Sequence, residues 1–282
     1  YVTAYIVREK CDQPSNFRCD ITLDEYLKEN NIPGVYDVDT REITKIIRES
    51  GVMNAMICSD PRDFDEGKVK AYRVQNAVEA VSCTKPIPLA AQEPKYNVVL
   101  LDYGKKENIA RELIKRGCNV AVMPQDTKAE DVLKLDPDGI MLSNGPGDPA
   151  ENTQCIDELK KLIGKKPIFG ICLGHQLLAL AMGAKTEKLK YGHRGVNQPV
   201  KDLKTGRTYI SSQNHGYAVI NDAVEACGGV ISYINANDGT NEGIDYPGKN
   251  AFSVQFHPEA CSGPHDTRFL FDRFIEMMGG NA

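Results

Sequence analysis

A chain of 282 residues with 41% hydrophobic and 26% charged residues can bury one large or two modest cores, which excludes a disordered or fibrous protein. Its net charge of −5 supplies no basic face for nucleic acid or anionic lipid, and no apolar run reaches the roughly 18 residues that a membrane-spanning helix needs. Nine cysteines with no C-x-x-C pair argue against a disulfide framework and against the usual zinc spacings, so no metal is expected and the thiols read as reduced, in a cytoplasmic protein.

Tyr1 to Lys10 show neither a signal-peptide layout nor an initiator Met, so the sequence is expected to begin inside a longer chain. The alternating VTAYIV predicts a strand, and a helix follows near Thr22 to Asn30. In DVDTREITKIIRESG, Asp39 is placed to cap a helix, with Glu42 three residues on and Ile43, Ile46 and Ile47 as its apolar stripe. Gly51 closes that helix. VMNAMICS predicts a strand, and Lys68 to Val81 predicts a helix. The proline-bearing SCTKPIPLAAQEPK has no period and reads as an extended linker. The division expected is a small α+β domain over 1–82, a linker over 83–95, and a larger domain over 96–282.

The larger domain alternates apolar strands with helices. YNVVLLD, NVAVM, GIMLSN and PIFGI are the strands, with helices at Glu107–Arg116, Ala129–Leu135 and Ile156–Ile163 between them. That order predicts an α/β fold with a parallel sheet covered on both faces, and such sheets place ligands beyond the carboxyl ends of their strands.

Four motifs fall at such ends. Gly170-Ile171-Cys172-Leu173-Gly174 lies between PIFGI and the helix HQLLALAMG, the spacing of a nucleophile elbow. The helix N-terminus aimed at the sulfur favours a thiolate. In SVQFHPE, His257 follows a strand and Glu259 stands two residues on, so one strand end offers a base and a carboxylate to orient it. In LSNGPGDP, Gly145 and Gly147 could present backbone N–H groups to an oxyanion or form a plain turn. SSQNHGYAV suits the binding of a polar amino acid and equally suits a polar hairpin. The remaining histidines, His175 in the helix and His193, His215 and His265 in loops, are read as structural.

GICLGHQ, SNGPGDP and FHPE together resemble the triad-type, class I glutamine amidotransferases. PSNFR, DVDTREITKIIRESG, GHRGVNQPV, QNHGYAV and GPHDT narrow the resemblance to the small, glutamine-hydrolysing subunits of carbamoyl-phosphate synthetase, over nearly the whole chain. The resemblance implies Cys172 as nucleophile, with His257 and Glu259 completing the triad. Gly145, Gly147, Leu173, Gln176, Asn214, Gly216 and Tyr217 would contact L-glutamine, Tyr217 standing where a phenylalanine is also usual. It further implies residues before Tyr1, including a serine that helps hold glutamine. The implied partner is a large synthetase subunit that takes the ammonia to make carbamoyl phosphate, a pyrimidine and arginine precursor. ATP and magnesium are then expected in that partner. No cofactor is expected in this chain, which has no G-x-x-x-x-G-K-[ST] loop. Rival readings are the same glutaminase serving another synthase, a lone peptidase or γ-glutamyl hydrolase, and a silent regulatory subunit.

Overall fold

The computed structural model describes residues 2–279. The chain divides after Tyr72 into two compact units. In the first, β1 (Tyr5–Ile6) pairs in parallel with β2 (Gly34–Val35), and α1 (Leu23–Glu29), α2 (Thr40–Ser50) and α3 (Glu66–Ala71) complete the unit. Local signals account for these helices. Thr22 and Glu25 form a reciprocal capping box on α1, and the Asp39 carboxylate accepts from the Glu42 N–H at the start of α2.

Two expectations in this region fail. VMNAMICS forms no strand and, among the described residues, has no ladder partner. The helix expected over Lys68–Val81 ends at Ala71, because Tyr72, with φ −58° and ψ 129°, already takes the chain off the helical path.

The second unit holds a ten-stranded sheet. Its strands are β3 (Ile87–Leu89), β4 (Tyr96–Asp102), β5 (Cys118–Pro124), β6 (Gly139–Leu142), β7 (Ile168–Ile171), β8 (Thr186–Asp202), β9 (Thr208–Val219), β10 (Val230–Asn235), β11 (Asn241–Tyr246) and β12 (Ala251–Val254). Helices α4 (Glu107–Ile114), α5 (Ala129–Lys134), α6 (Thr153–Leu162), α7 (Leu173–Met182) and α8 (Phe269–Gly279) belong to the same unit. The order across the sheet is β3-β5-β4-β6-β7-β12-β11-β10-β8-β9. The five strands from β5 to β12 run parallel, as the alternating pattern predicts, and β11, β10, β8 and β9 extend the sheet antiparallel.

Both faces of the parallel half are buried, which is why its strands read as unbroken apolar runs. On β4, Val99 and Leu101 join a core with Leu159 and Leu162 of α6 and Leu177 and Leu178 of α7. Val98 and Leu100 face the opposite core, with Ile109 and Leu113 of α4 and Phe271 and Phe274 of α8. Phe169 of β7 stacks on Phe252 of β12 with ring centroids 4.3 Å apart. Burying each such ring stabilises the fold by roughly 1.5–3 kcal/mol.

The structure departs from the expected linker over 83–95 and from the boundary at 82. Val78 is buried in the core of the large unit, and Ile87–Leu89 forms the edge strand β3, antiparallel to Val120–Val122. Pro88 is compatible with that strand because an edge has one side whose N–H groups need no ladder partner. The hairpin β8–β9 was not legible as strands, since its register shifts break the period of two. His193 and His215, expected in loops, sit opposite each other on it.

Candidate active site

The parallel strands β6, β7 and β12 end side by side, and their carboxyl ends carry the three strongest motifs. At the end of β7 the backbone of Cys172 takes φ 54° and ψ −102°, an unusual conformation for a residue with a side chain. The Cys172 N–H donates to the Val254 carbonyl of β12 at 2.9 Å, and the Gly174 N–H donates to the Ser143 carbonyl at 3.0 Å. The flanking glycines are required by close approach. A Cβ on Gly170 would meet the Gly174 carbonyl oxygen at 2.8 Å, and one on Gly174 would meet the Leu142 carbonyl oxygen at 2.5 Å. The turn is therefore sharp, and it sets Cys172 at the N-terminus of α7.

Beyond β12, the His257 N–H donates to the Ser212 carbonyl of β9 at 2.9 Å. The imidazole is buried, and its Nδ1–H donates to Glu259 Oε1 at 2.8 Å, which leaves Nε2 outside that bond. Burial pulls the His257 imidazolium toward deprotonation. The charges of Glu259 and Cys172, with a hydrogen bond to each, outweigh that and raise its pKa to about 10. Burial likewise opposes ionisation of Glu259, but the His257 charge and hydrogen bond, and then the Lys106 charge, hold its carboxyl below the ordinary range. Lys106 Nζ lies 3.6 Å from Glu259 Oε1, and Asn108 Nδ2 donates to the Glu259 carbonyl at 3.1 Å. The structure thus brings Cys172, His257 and Glu259 into one linked set. Lys106 and Asn108, in the turn after β4 and the first turn of α4, support it and were not among the residues singled out from sequence.

The loop after β6 lies against the elbow. A Cβ on Gly145 would collide with the Tyr103 carbonyl oxygen and with Leu173, and Gly147 takes a φ of +90°. Among the described residues, the backbone N–H groups of Gly145, Gly147 and Leu173 donate no hydrogen bond within the protein. They are therefore available to a developing oxyanion. Asn144 fixes the loop by accepting from the Lys106 N–H at 2.9 Å and donating to the Gly104 carbonyl at 3.1 Å.

Gln176 is buried, and its Nε2 donates to the Tyr217 carbonyl at 2.8 Å and to Gln255 Oε1 at 2.9 Å. This ties α7 to the QNHGYAV segment, which is a stretch of β9 and not an isolated turn. Asn214, Gly216 and Tyr217 lie along that stretch. The Tyr217 phenol is raised first by burial and then by the charge of Asp148, in the loop after β6. Asp148 is a third residue that sequence reasoning passed over, since its motif also reads as a turn. His175 is fully buried against Ser253 Oγ at 2.9 Å, and burial lowers it to about 3. It is neutral and structural.

A parallel sheet with a strained cysteine elbow, an adjoining histidine–carboxylate pair and an open set of backbone donors defines a cysteine hydrolase of the amidotransferase class. In agreement, residues 99–277 match the family Glutamine amidotransferase class-I, and residues 1–57 match Carbamoyl-phosphate synthase small chain, CPSase domain. The carbamoyl phosphate synthase small chain of Clostridium perfringens is 48% identical over 98% of this chain and 78% of its own length. That of Bacillus cereus is 50% identical over 98% of this chain and 76% of its own length. A candidate GMP synthase component from Thermoplasma acidophilum superposes with a TM-score of 0.57 at 24% identity, over 65% of this chain and 94% of that one, a likeness of fold. The chain belongs to the carbamoyl phosphate synthase small chain family, within the class-I glutamine amidotransferases.

Proposed function

We propose that this chain hydrolyses glutamine through Cys172 and passes the ammonia to a large synthetase subunit for ATP-dependent carbamoyl phosphate synthesis. The observation that carries this reading is the linked set Cys172–His257–Glu259 at the ends of two adjacent parallel strands.

The Cys172 thiolate attacks the side-chain carboxamide carbon of glutamine. The negative charge that forms on oxygen is met by the N–H groups of Leu173 and of the Gly145–Gly147 loop. His257 gives its proton to the departing nitrogen, so ammonia leaves and a γ-glutamyl thioester remains. His257, now neutral, then takes a proton from water, and the hydroxide cleaves the thioester to glutamate. Glu259 keeps the imidazole in the orientation both steps need, and the His257 charge, followed by that of Lys106, favours the ionised Glu259. Gln176, Asn214, Gly216 and Tyr217 line the place for the amino acid end of the substrate.

Ammonia becomes ammonium in neutral water and loses its lone pair, which is the chemical reason to hand it directly to a partner. ATP and magnesium belong to that partner, and the site of action is the cytoplasm. The test is glutamate release by the purified chain and by Cys172→Ala, with and without the large subunit of a carbamoyl phosphate synthase. The expected result is a loss of about 10⁴-fold or more in Cys172→Ala, and a rise in the parent when the partner is added with ATP and bicarbonate. Equal rates in parent and variant would remove Cys172 from the chemistry. Hydrolysis indifferent to the partner would point to a lone hydrolase.

A further inference from the structure

Behind the QNHGYAV segment, β8, β9 and β11 bring together His193, His215 and Glu242, all largely or fully buried. One ligand atom from each lies within 4.8 Å of the others, and the two imidazoles meet edge to face with centroids 4.9 Å apart.

The outer hydrogen bonds decide which atoms face inward. In the neutral His193 imidazole, Nε2–H donates to Asp238 Oδ2 at 2.8 Å and a lone pair is left on Nδ1. That Nδ1 has no hydrogen-bond partner and stands 3.4 Å from Glu242 Oε1. His215 Nδ1–H donates to the Tyr217 carbonyl at 2.8 Å, which leaves a lone pair on Nε2, 4.0 Å from Glu242 Oε1. Glu242 Oε2 is buried with no partner, and Gln213 Oε1 adds another acceptor 3.2 Å from His215 Nε2. The donors aimed at Glu242 are Asn235 Nδ2, 3.4 Å from Oε1, and the side-chain amide of Gln213. With both imidazoles neutral, two nitrogen lone pairs and a carboxylate converge in a buried space, where acceptors facing acceptors are unfavourable unless a proton or a metal cation lies between them.

We propose that His193, His215 and Glu242 form a site for a divalent transition-metal cation of the zinc class. Two imidazoles and one carboxylate suit zinc. Each histidine already has the outer partner that metal-bound histidines use to fix their tautomer, a carboxylate for His193 and a backbone carbonyl for His215. Asp238, half exposed beside His193, marks the way in. The ion would cross-link three strands at His215, between Asn214 and Gly216, and so hold β9 in place. The sequence spacing does not announce such a site, because each ligand comes from a different strand. The inference is independent of the Cys172 chemistry.

The test uses the full chain carrying Cys172→Ala, so that the site thiol cannot compete, titrated with Co²⁺ and then Zn²⁺ under reducing conditions. The expected result is one cobalt ion per chain with the visible bands of a nitrogen–oxygen site, displaced by zinc. Zinc also raises the melting temperature by several degrees, and His193→Gln and Glu242→Gln lose both effects. Asp238→Asn spares the ligands and loosens their support, so it keeps the test valid if a ligand variant fails to fold. Affinity should then fall about 10–100-fold. Parent and variants binding alike, or only near-ultraviolet thiolate–cobalt bands, would overturn the proposal. A proton on His193, shared between Asp238 and Glu242, would then be the cation.

Discussion

In the unit that follows Tyr72, Phe169, Phe252, Phe271 and Phe274 have no solvent exposure at all. In the unit that precedes it, Phe17 is 91% exposed and Tyr36 is 64% exposed, and Gly51 is the one buried residue among those described. Yet both of the first two helices of the small unit carry side-chain N-caps, a reciprocal capping box on α1 and the Asp39 carboxylate on α2. The contrast separates two sources of order. Caps and turn residues act within a few positions and give secondary structure wherever they occur. Fixing a strained cysteine opposite a buried histidine needs packing from both sides of a sheet, and only the large unit has that.

Truncating a core ring should break the large unit most severely. Phe169→Ala removes the ring stacked on Phe252 at the base of the elbow strand, so a loss of about 3–5 kcal/mol is expected in chemical denaturation. A loss under about 1 kcal/mol would mean that the rings of β7 and β12 do not share a close-packed core.

The second consequence concerns a single proton. Because the folded pKa of His257 is raised, to about 10, the imidazolium is present through neutral pH and is lost only as pH rises through that value. The stability it contributes is complete below the ordinary value of 6.5 and disappears on the same alkaline rise. Carbon-13 NMR of labelled histidine should therefore show no titration of His257 between pH 6 and 8. A midpoint near 6.5 would show that Glu259 and Cys172 do not hold the ring.

Smaller effects are expected in the small unit. Asp39→Ala removes the carboxylate that accepts from the Glu42 N–H and should cost about 1 kcal/mol, seen as a loss of helix signal at lower temperature. Ile43→Ala, at a side chain left 39% exposed, should change stability by no more than about 0.5 kcal/mol. A large loss from Ile43→Ala would overturn the contrast, since it would show that α2 is packed against something that buries it.

The same contrast explains what could be read from sequence. The parallel strands were legible because burial on two faces makes continuous apolar runs, and the elbow because Gly170 and Gly174 have no room for a side chain. The Asp39 cap was legible because its partner is three residues away. Hidden were the features that depend on distant partners. The edge strand Ile87–Leu89 looked like a proline-rich linker, and β8–β11 mix polar residues with register shifts. Lys106 and Asp148 were passed over because each acts only after the fold brings Glu259 or Tyr217 to it.

The central claim is that Cys172 carries the substrate covalently. Its most direct test is to quench the parent and Cys172→Ala during turnover of labelled glutamine and locate the label by peptide mass spectrometry. The account predicts a γ-glutamyl thioester on the peptide holding Cys172, released by hydroxylamine and absent from the variant. Turnover of glutamine by the parent with no label on that peptide, and undiminished turnover by Cys172→Ala, would contradict it.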